Sequence, residues 1–183
     1  MNLDKIEKLV AQLIAEIGED SQREGLKDTP RRVAKSFEII FGGYNQDPKK
    51  HLTTFDGEDY DEMIICKNID FYSNCEHHMQ PFFGQAWIGY IPNKKIIGIS
   101  KLPRILDTFS RRLQNQERLT MQVADTLQEL LQPLGVGIVL EAEHLCMKCR
   151  GVQKQNTIMT TSAFRGTFKK KAKTRNEFLR LIK

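Results

Sequence analysis

Three of the four cysteines and three of the four histidines of this 183-residue chain fall in two short segments. The first is Cys75-Glu76-His77-His78; the second is His144-Leu145-Cys146-Met147-Lys148-Cys149. Zinc takes thiolate and imidazole ligands, and a Cys and a His three residues apart can face one ion across a tight turn. One Cys-x-x-His pair says little alone. Joined to a second cysteine-bearing segment, it makes a metal constellation.

Two arrangements fit that spacing. A closed structural site would use Cys75, His78, Cys146 and Cys149; an open site would use Cys75, His78 and Cys146 and leave the fourth position to water. Residues 143–150 read as a strand, whose side chains alternate between faces. On that reading His144, Cys146, Lys148 and Arg150 share one face and Cys149 points away. A structural site also has no use for His77 and His144 beside it, whereas a hydrolytic site needs groups that exchange protons near pH 7. Zinc lowers the pKa of a water in the fourth position toward neutrality. The open site is therefore favoured. His77 is either a proton-transfer group or a donor that fixes the turn, and Glu76 either reacts or orients an imidazole.

Anion-binding chemistry is written into Ser100-Lys101-Leu102-Pro103-Arg104, where a strand gives way to a helix. Free amides at a helix start attract anions, and Lys101 and Arg104 would reinforce them; a capped helix with two solvent-facing bases is the plainer reading. Arg150 on the metal face favours an anionic substrate, and Arg31, Arg32 and Lys35 either serve likewise or form a wet helix face. Gln116-Glu117 interrupts a long helical stretch; a buried carboxylate there can accept the paired N–H groups of a guanine edge, whereas most helical glutamates are simply solvated.

These residues need elements to hold them. Leu3, Ile6, Leu9, Val10, Leu13, Ile14 and Ile17 recur at helical spacing before Gly18. A second helix opens at Asp28-Thr29-Pro30, buries Val33, Phe37, Ile40 and Phe41, and ends at Gly42-Gly43. Residues 63–66, 82–91 and 95–99 read as strands, with a turn at Pro92-Asn93. A helical stretch over 103–131 should break near Gln114-Asn115. Strand-like sequence follows over 136–143, 145–152 and 157–168, and a helix over 175–182, capped by Thr174, closes the chain. The order implies an α+β fold, with antiparallel strands and helices on one face. A boundary near residue 60 would divide an N-terminal helical region, 1–60, from a catalytic domain, 61–183.

Composition narrows the classes. With 40% hydrophobic and 28% charged residues the chain can build a core. No apolar run nears the roughly 20 residues needed to cross a bilayer, and the first residues lack a signal peptide's apolar stretch. A cytoplasmic protein with free thiols is expected. The net charge of +5 suits nucleic acid, a membrane surface or a phosphorylated small molecule, and the run from Lys169 to Lys173 reads as a solvated loop.

Taken together, these segments resemble GTP cyclohydrolase I. Asp28-Thr29-Pro30 with Arg32 to Lys35, Cys75 to His78 with Pro81-Phe82, and Gly98 to Lys101 with Arg104 carry the likeness. Gln116 to Thr120, His144 to Cys146 with Arg150-Gly151, Thr161 to Ala163, and Thr174 to Leu179 complete it, in order, over essentially the whole chain. The resemblance implies a tunnelling fold that assembles as a homodecamer with active sites between subunits. It implies one zinc per subunit on Cys75, His78 and Cys146, and hydrolysis of GTP to 7,8-dihydroneopterin triphosphate and formate, the first step of tetrahydrofolate-type pterin synthesis. By resemblance His77 and His144 transfer protons and Gln116 and Glu117 hold the guanine edge. Ser100, Lys101, Arg104 and Arg150 bind ribose and triphosphate, joined by Arg32 and Lys35 of a neighbouring subunit. Cys149 and Asn115 depart from the family's usual residues.

Two other classes compete with this one. A zinc-stabilised nucleic-acid module should interleave aromatics with bases on a strand face, and the lysine run offers little of that. A relative acting on another purine or pterin would keep Glu117 but would not need the phosphate-binding bases. Neither nucleic acid nor membrane is expected as a partner.

Overall fold

A computed structural model describes residues 1–183. The chain divides into two units, Met1–Gly42 and Gly43–Lys183. The division falls earlier than residue 60 because the segment after Gly42 belongs to the larger unit. There the Gly43 amide donates to the Arg111 carbonyl, the Leu113 amide donates to the Tyr44 hydroxyl, and Thr108 bonds Gln46.

In the first unit, α1 (Leu3–Glu16) and α2 (Thr29–Ile40) are the expected helices. Asn2 caps α1 by accepting from the Lys5 amide, and Pro30 opens α2, where its missing N–H costs nothing. Ile14 and Ala34 are buried within this unit, while Leu9, Leu13 and Ile17 on α1 face solvent.

The second unit is built on a five-stranded sheet in the order β5-β2-β3-β6-β7. Its strands are β2 (Ile64–Cys75), β3 (Pro81–Ile91), β5 (Leu113–Gln114), β6 (Gly135–His144) and β7 (Met159–Gly166). All neighbours are antiparallel except β5, which runs parallel to β2. A separate pair joins β1 (Thr54–Asp56) to β4 (Lys95–Ile97), so the strand expected over 95–99 ends at Ile97 and lies outside the main sheet. The helical stretch breaks where expected, into α3 (Lys101–Ser110) and α4 (Gln116–Leu131).

One irregularity sets which face the metal residues occupy. Between Cys66 and Ile69 the β2–β3 register shifts by one residue, and Asn68 takes a positive φ of 53°. Such a bulge reverses side-chain parity downstream. Ile69, Phe71 and Cys75 therefore join Ile64 and Cys66 on the face that carries the main core. They meet Phe82, Ile88 and Tyr90 of β3 and Ile138 and Leu140 of β6, under Ile105 and Leu106 of α3 and Leu119, Val123 and Leu127 of α4.

The expectation of helices on one face needs correction. The C-terminal helices α6 (Thr167–Lys170) and α7 (Ala172–Leu181) pack on the opposite face, where Phe168 and Phe178 bury against Val139, Trp87 and Ile65. Paired glycines make the room: Gly89 on β3 lies opposite Gly137 on β6. A Cβ on Gly137 would stand 2.5 Å from the Phe168 ring, and one on Gly89 2.8 Å from Phe178. Overpacking a filled site costs ~1–3 kcal/mol. Gly137→Ala should accordingly lower the unfolding free energy by that amount, read as a lower urea midpoint, while leaving α-helical content intact; an unchanged midpoint would show that the two rings are not held against the sheet.

Candidate metal centre

The two cysteine-bearing segments meet because β3 pairs with β6. The β2–β3 connection is a tight turn: the amides of His78 and Met79 both point to the Cys75 carbonyl, the Cys75 amide donates to Gln80, and Met79 takes a positive φ of 54°. Register then sets Phe82, just past the turn, opposite His144 at the end of β6. The chain beyond His144 is not the expected strand but a one-turn helix, α5 (Leu145–Lys148). That turn brings Cys146 back toward Cys75 and His78.

The ligand atoms of Cys75, His78 and Cys146 all lie within 4.8 Å of one another. A tetrahedral zinc ion separates a bound sulfur and nitrogen by about 3.6 Å, and Cys75 Sγ lies 3.6 Å from His78 Nδ1. The donor set and its spacing fit zinc. Burial first, and then the adjacent Cys75 sulfur, push the Cys146 thiol above its ordinary pKa; a divalent cation would relieve both penalties.

Cys149 stays outside the cluster, though strand parity is not the cause. It ends α5, is exposed, and its sulfur turns to the Leu145 carbonyl at 2.9 Å.

Around the three ligands the expected groups divide. His77 is largely exposed, with its Nε2 3.7 Å from Glu76 Oε1. His144 stacks on Phe82, ring centroids 4.6 Å apart and planes within 4°. Burial lowers its pKa, opposed by the nearby Glu117 carboxylate, so the ring is neutral at pH 7. Glu117, in the first turn of α4, is exposed, and its carboxylate makes no hydrogen bond or ion pair within the chain. Gln116 is buried, with its amide bonded to His144 and to β6 and β7. Arg150 Nη1 lies 3.3 Å from His78 Nε2.

Ser100, Lys101 and Arg104 are not brought to this centre. They open α3, whose start is anchored at the far end of β3 by the Ile97 amide donating to the Tyr90 hydroxyl. The helix returns along the sheet for about 15 Å before β5 reaches Cys75. Arg32 and Lys35 lie exposed on α2 of the N-terminal unit, Arg32 paired with Asp28.

Residues outside the expected set hold the turn. The Glu76 amide donates to the Gln114 carbonyl, and its carboxylate accepts from Arg118 and, at 2.9 Å, from Asn115 Nδ2. The Arg118 bond, foremost, keeps the Glu76 carboxyl below the usual carboxylate range. Asn115 also caps α4 by accepting from the Arg118 amide. Its departure from the family's usual residue thus has a use, and the sequence hinted at the clamp only in the orienting reading of Glu76 and in that departure.

Comparison with known proteins agrees with this geometry. Residues 6–183 match the profile of the GTP cyclohydrolase I family. The chain belongs to that family. GTP cyclohydrolase 1 of Wolinella succinogenes is 54% identical over 175 residues, covering 95% of this chain and 94% of that protein. The Porphyromonas gingivalis protein of the same name is 54% identical over 179 residues, with 97% and 92% covered. That of Halalkalibacterium halodurans is 53% identical over 181 residues, with 98% and 96% covered. Membership of the GTP cyclohydrolase I family makes the chain a hydrolase. No helix is long and apolar enough to cross a membrane.

Metal retention separates the cysteines. Cys146→Ala should lose the ion after desalting, whereas Cys149→Ala should keep one equivalent by atomic absorption. Glu76→Ala should weaken zinc affinity about 10–100-fold, as loss of groups that orient ligands does. Chelator competition reads this directly, and an unchanged affinity would show that the Arg118–Asn115 clamp does not support the turn.

Proposed function

We propose that this chain catalyses the zinc-dependent hydrolysis of GTP to 7,8-dihydroneopterin triphosphate and formate. The observation that carries the reading is a three-ligand set, Cys75, His78 and Cys146, with the fourth nearby thiol turned away on its own helix. When bound there, zinc supplies Lewis acidity that makes water nucleophilic near neutral pH.

The chain's own groups do the rest. Two C–N bonds to the guanine imidazole carbon must break to release formate, so proton donors and acceptors are needed on both ring nitrogens. His144 is neutral and can take a proton; His77, beside the Glu76 carboxylate, can take or return another. Glu117, unpaired within the chain, accepts the N1–H and the 2-amino group of guanine and so aims the imidazole carbon at the metal. Arg150 supplies positive charge for ribose and phosphate oxygens.

The triphosphate site is completed by association. Ser100, Lys101 and Arg104 begin at the far end of the sheet from their own metal ligands, and Arg32 and Lys35 belong to the N-terminal unit. In a homodecamer of tunnelling-fold subunits these residues would serve a neighbour's metal centre. The largely unpaired outer edge of β7 and the exposed Leu9, Leu13 and Ile17 of α1 support association, since bare edges and apolar faces seek partners. The four unpaired cysteines suit a reducing cytosol.

Zinc-loaded protein incubated with GTP, then oxidised, should yield a fluorescent pterin together with formate. Absence of both products overturns the assignment. His77→Ala or His144→Ala should retain zinc and lose roughly 10²–10⁴-fold in formate release, the usual worth of a positioned acid or base.

A further inference from the structure

The side-chain amide of Gln116 has only one allowed orientation, and the His144 ring follows from it. Gln116 is 2% exposed, at the first residue of α4. Its Nε2 stands 3.1 Å from the Leu140 carbonyl oxygen, 3.0 Å from that of Met159 and 3.1 Å from Thr161 Oγ1. Carbonyls only accept. The hydroxyl accepts here as well. Thr120 gives its hydrogen to the Gln116 carbonyl at 2.6 Å, so in the 2.7 Å Thr120–Thr161 bond the donor is Thr161. Three acceptors therefore surround one amide end, and that end must be the NH2 group.

The other end, Oε1, lies 2.8 Å from His144 Nε2. An amide oxygen has no hydrogen to give, so the shared proton sits on the imidazole. A neutral His144 then carries its hydrogen on Nε2 and its lone pair on Nδ1. Stacking on Phe82 fixes the ring plane, and the Gln116 bond fixes rotation within it.

We propose that Gln116 is a positioning residue that holds His144 in the Nε2–H tautomer and makes Nδ1 the nitrogen that exchanges protons with substrate. This rests on the reading of His144 as a proton-transfer group. It assigns the guanine edge to Glu117 alone, because both Gln116 amide protons are already engaged inside the protein. It also links the chemistry to β7, since Met159 and Thr161 hold the amide from that strand.

The unaltered zinc-loaded protein provides the first test. Neutron diffraction of crystals exchanged into heavy water, above pH 7.5, should show deuterium on His144 Nε2; a bare Nε2 overturns the proposal. Kinetics provide the second. In zinc-replete Gln116→Leu, kcat should fall on the order of 10²-fold, with KM for GTP and the preference for GTP over inosine triphosphate little changed. A raised KM with that preference lost and kcat kept would make Gln116 a base-reading residue and sink the proposal. Failure of the unaltered protein to form pterin would instead remove the functional reading, and the position of deuterium on His144 would still be read separately.

Discussion

The antiparallel register of β3 against β6 is the constraint on which this site depends. It sets Phe82 opposite His144, and so brings the turn that carries Cys75 and His78 to the place where β6 ends and α5 presents Cys146. Two segments about seventy residues apart become one ligand set through a ladder of backbone hydrogen bonds. A one-residue slip would turn every side chain of the strand to the other face. The bulge between Cys66 and Ile69 belongs to the same constraint, because it gives Cys75 the parity of the main core.

Two polar side chains beside the candidate metal ligands, Glu76 and Gln116, are held by partners within the protein. Glu76 is held by Arg118, Asn115 and the Gln114 carbonyl, which ties the turn bearing Cys75 and His78 to the start of α4. Gln116, one residue past the cap of that helix, holds His144. The same first turn presents Glu117, which nothing in the chain engages. A buried network is stable only when each member has its partner. Here the satisfied members fix the turn and the His144 ring, and the exposed Glu117 carboxylate is the one proposed to meet substrate.

Much of this was legible in the residues. The Cys-x-x-His pair and the second cysteine segment pointed to a metal cluster, because such residue types at such spacing have few other uses, and the structure brings Cys75, His78 and Cys146 together. The break at Gln114-Asn115 was visible as a polar interruption of an apolar stripe. Strand parity across residues 143–150, by contrast, excluded Cys149 for the wrong reason: a four-residue helix has too short a period to read from sequence, and His144-Leu145-Cys146 alternates as a strand would. The C-terminal helices were legible as helices but not as covering the second face, since the niche that receives Phe168 and Phe178 is made by glycines on two other strands.

The sequence by itself determined the candidate ligand types, the residues proposed for proton transfer and the order of elements, because these follow from side-chain chemistry and local periodicity. Tertiary structure alone decided which thiol is turned away, which face Cys75 occupies, that Glu76 answers to Arg118 and Asn115, and that Gln116 faces His144 and not open solvent. The contacts of Glu76 and Gln116 join groups 28 to 42 residues apart, and the face of Cys75 follows from the β2–β3 register. Their meeting is set by sheet register and helix packing, which no local pattern of residues encodes.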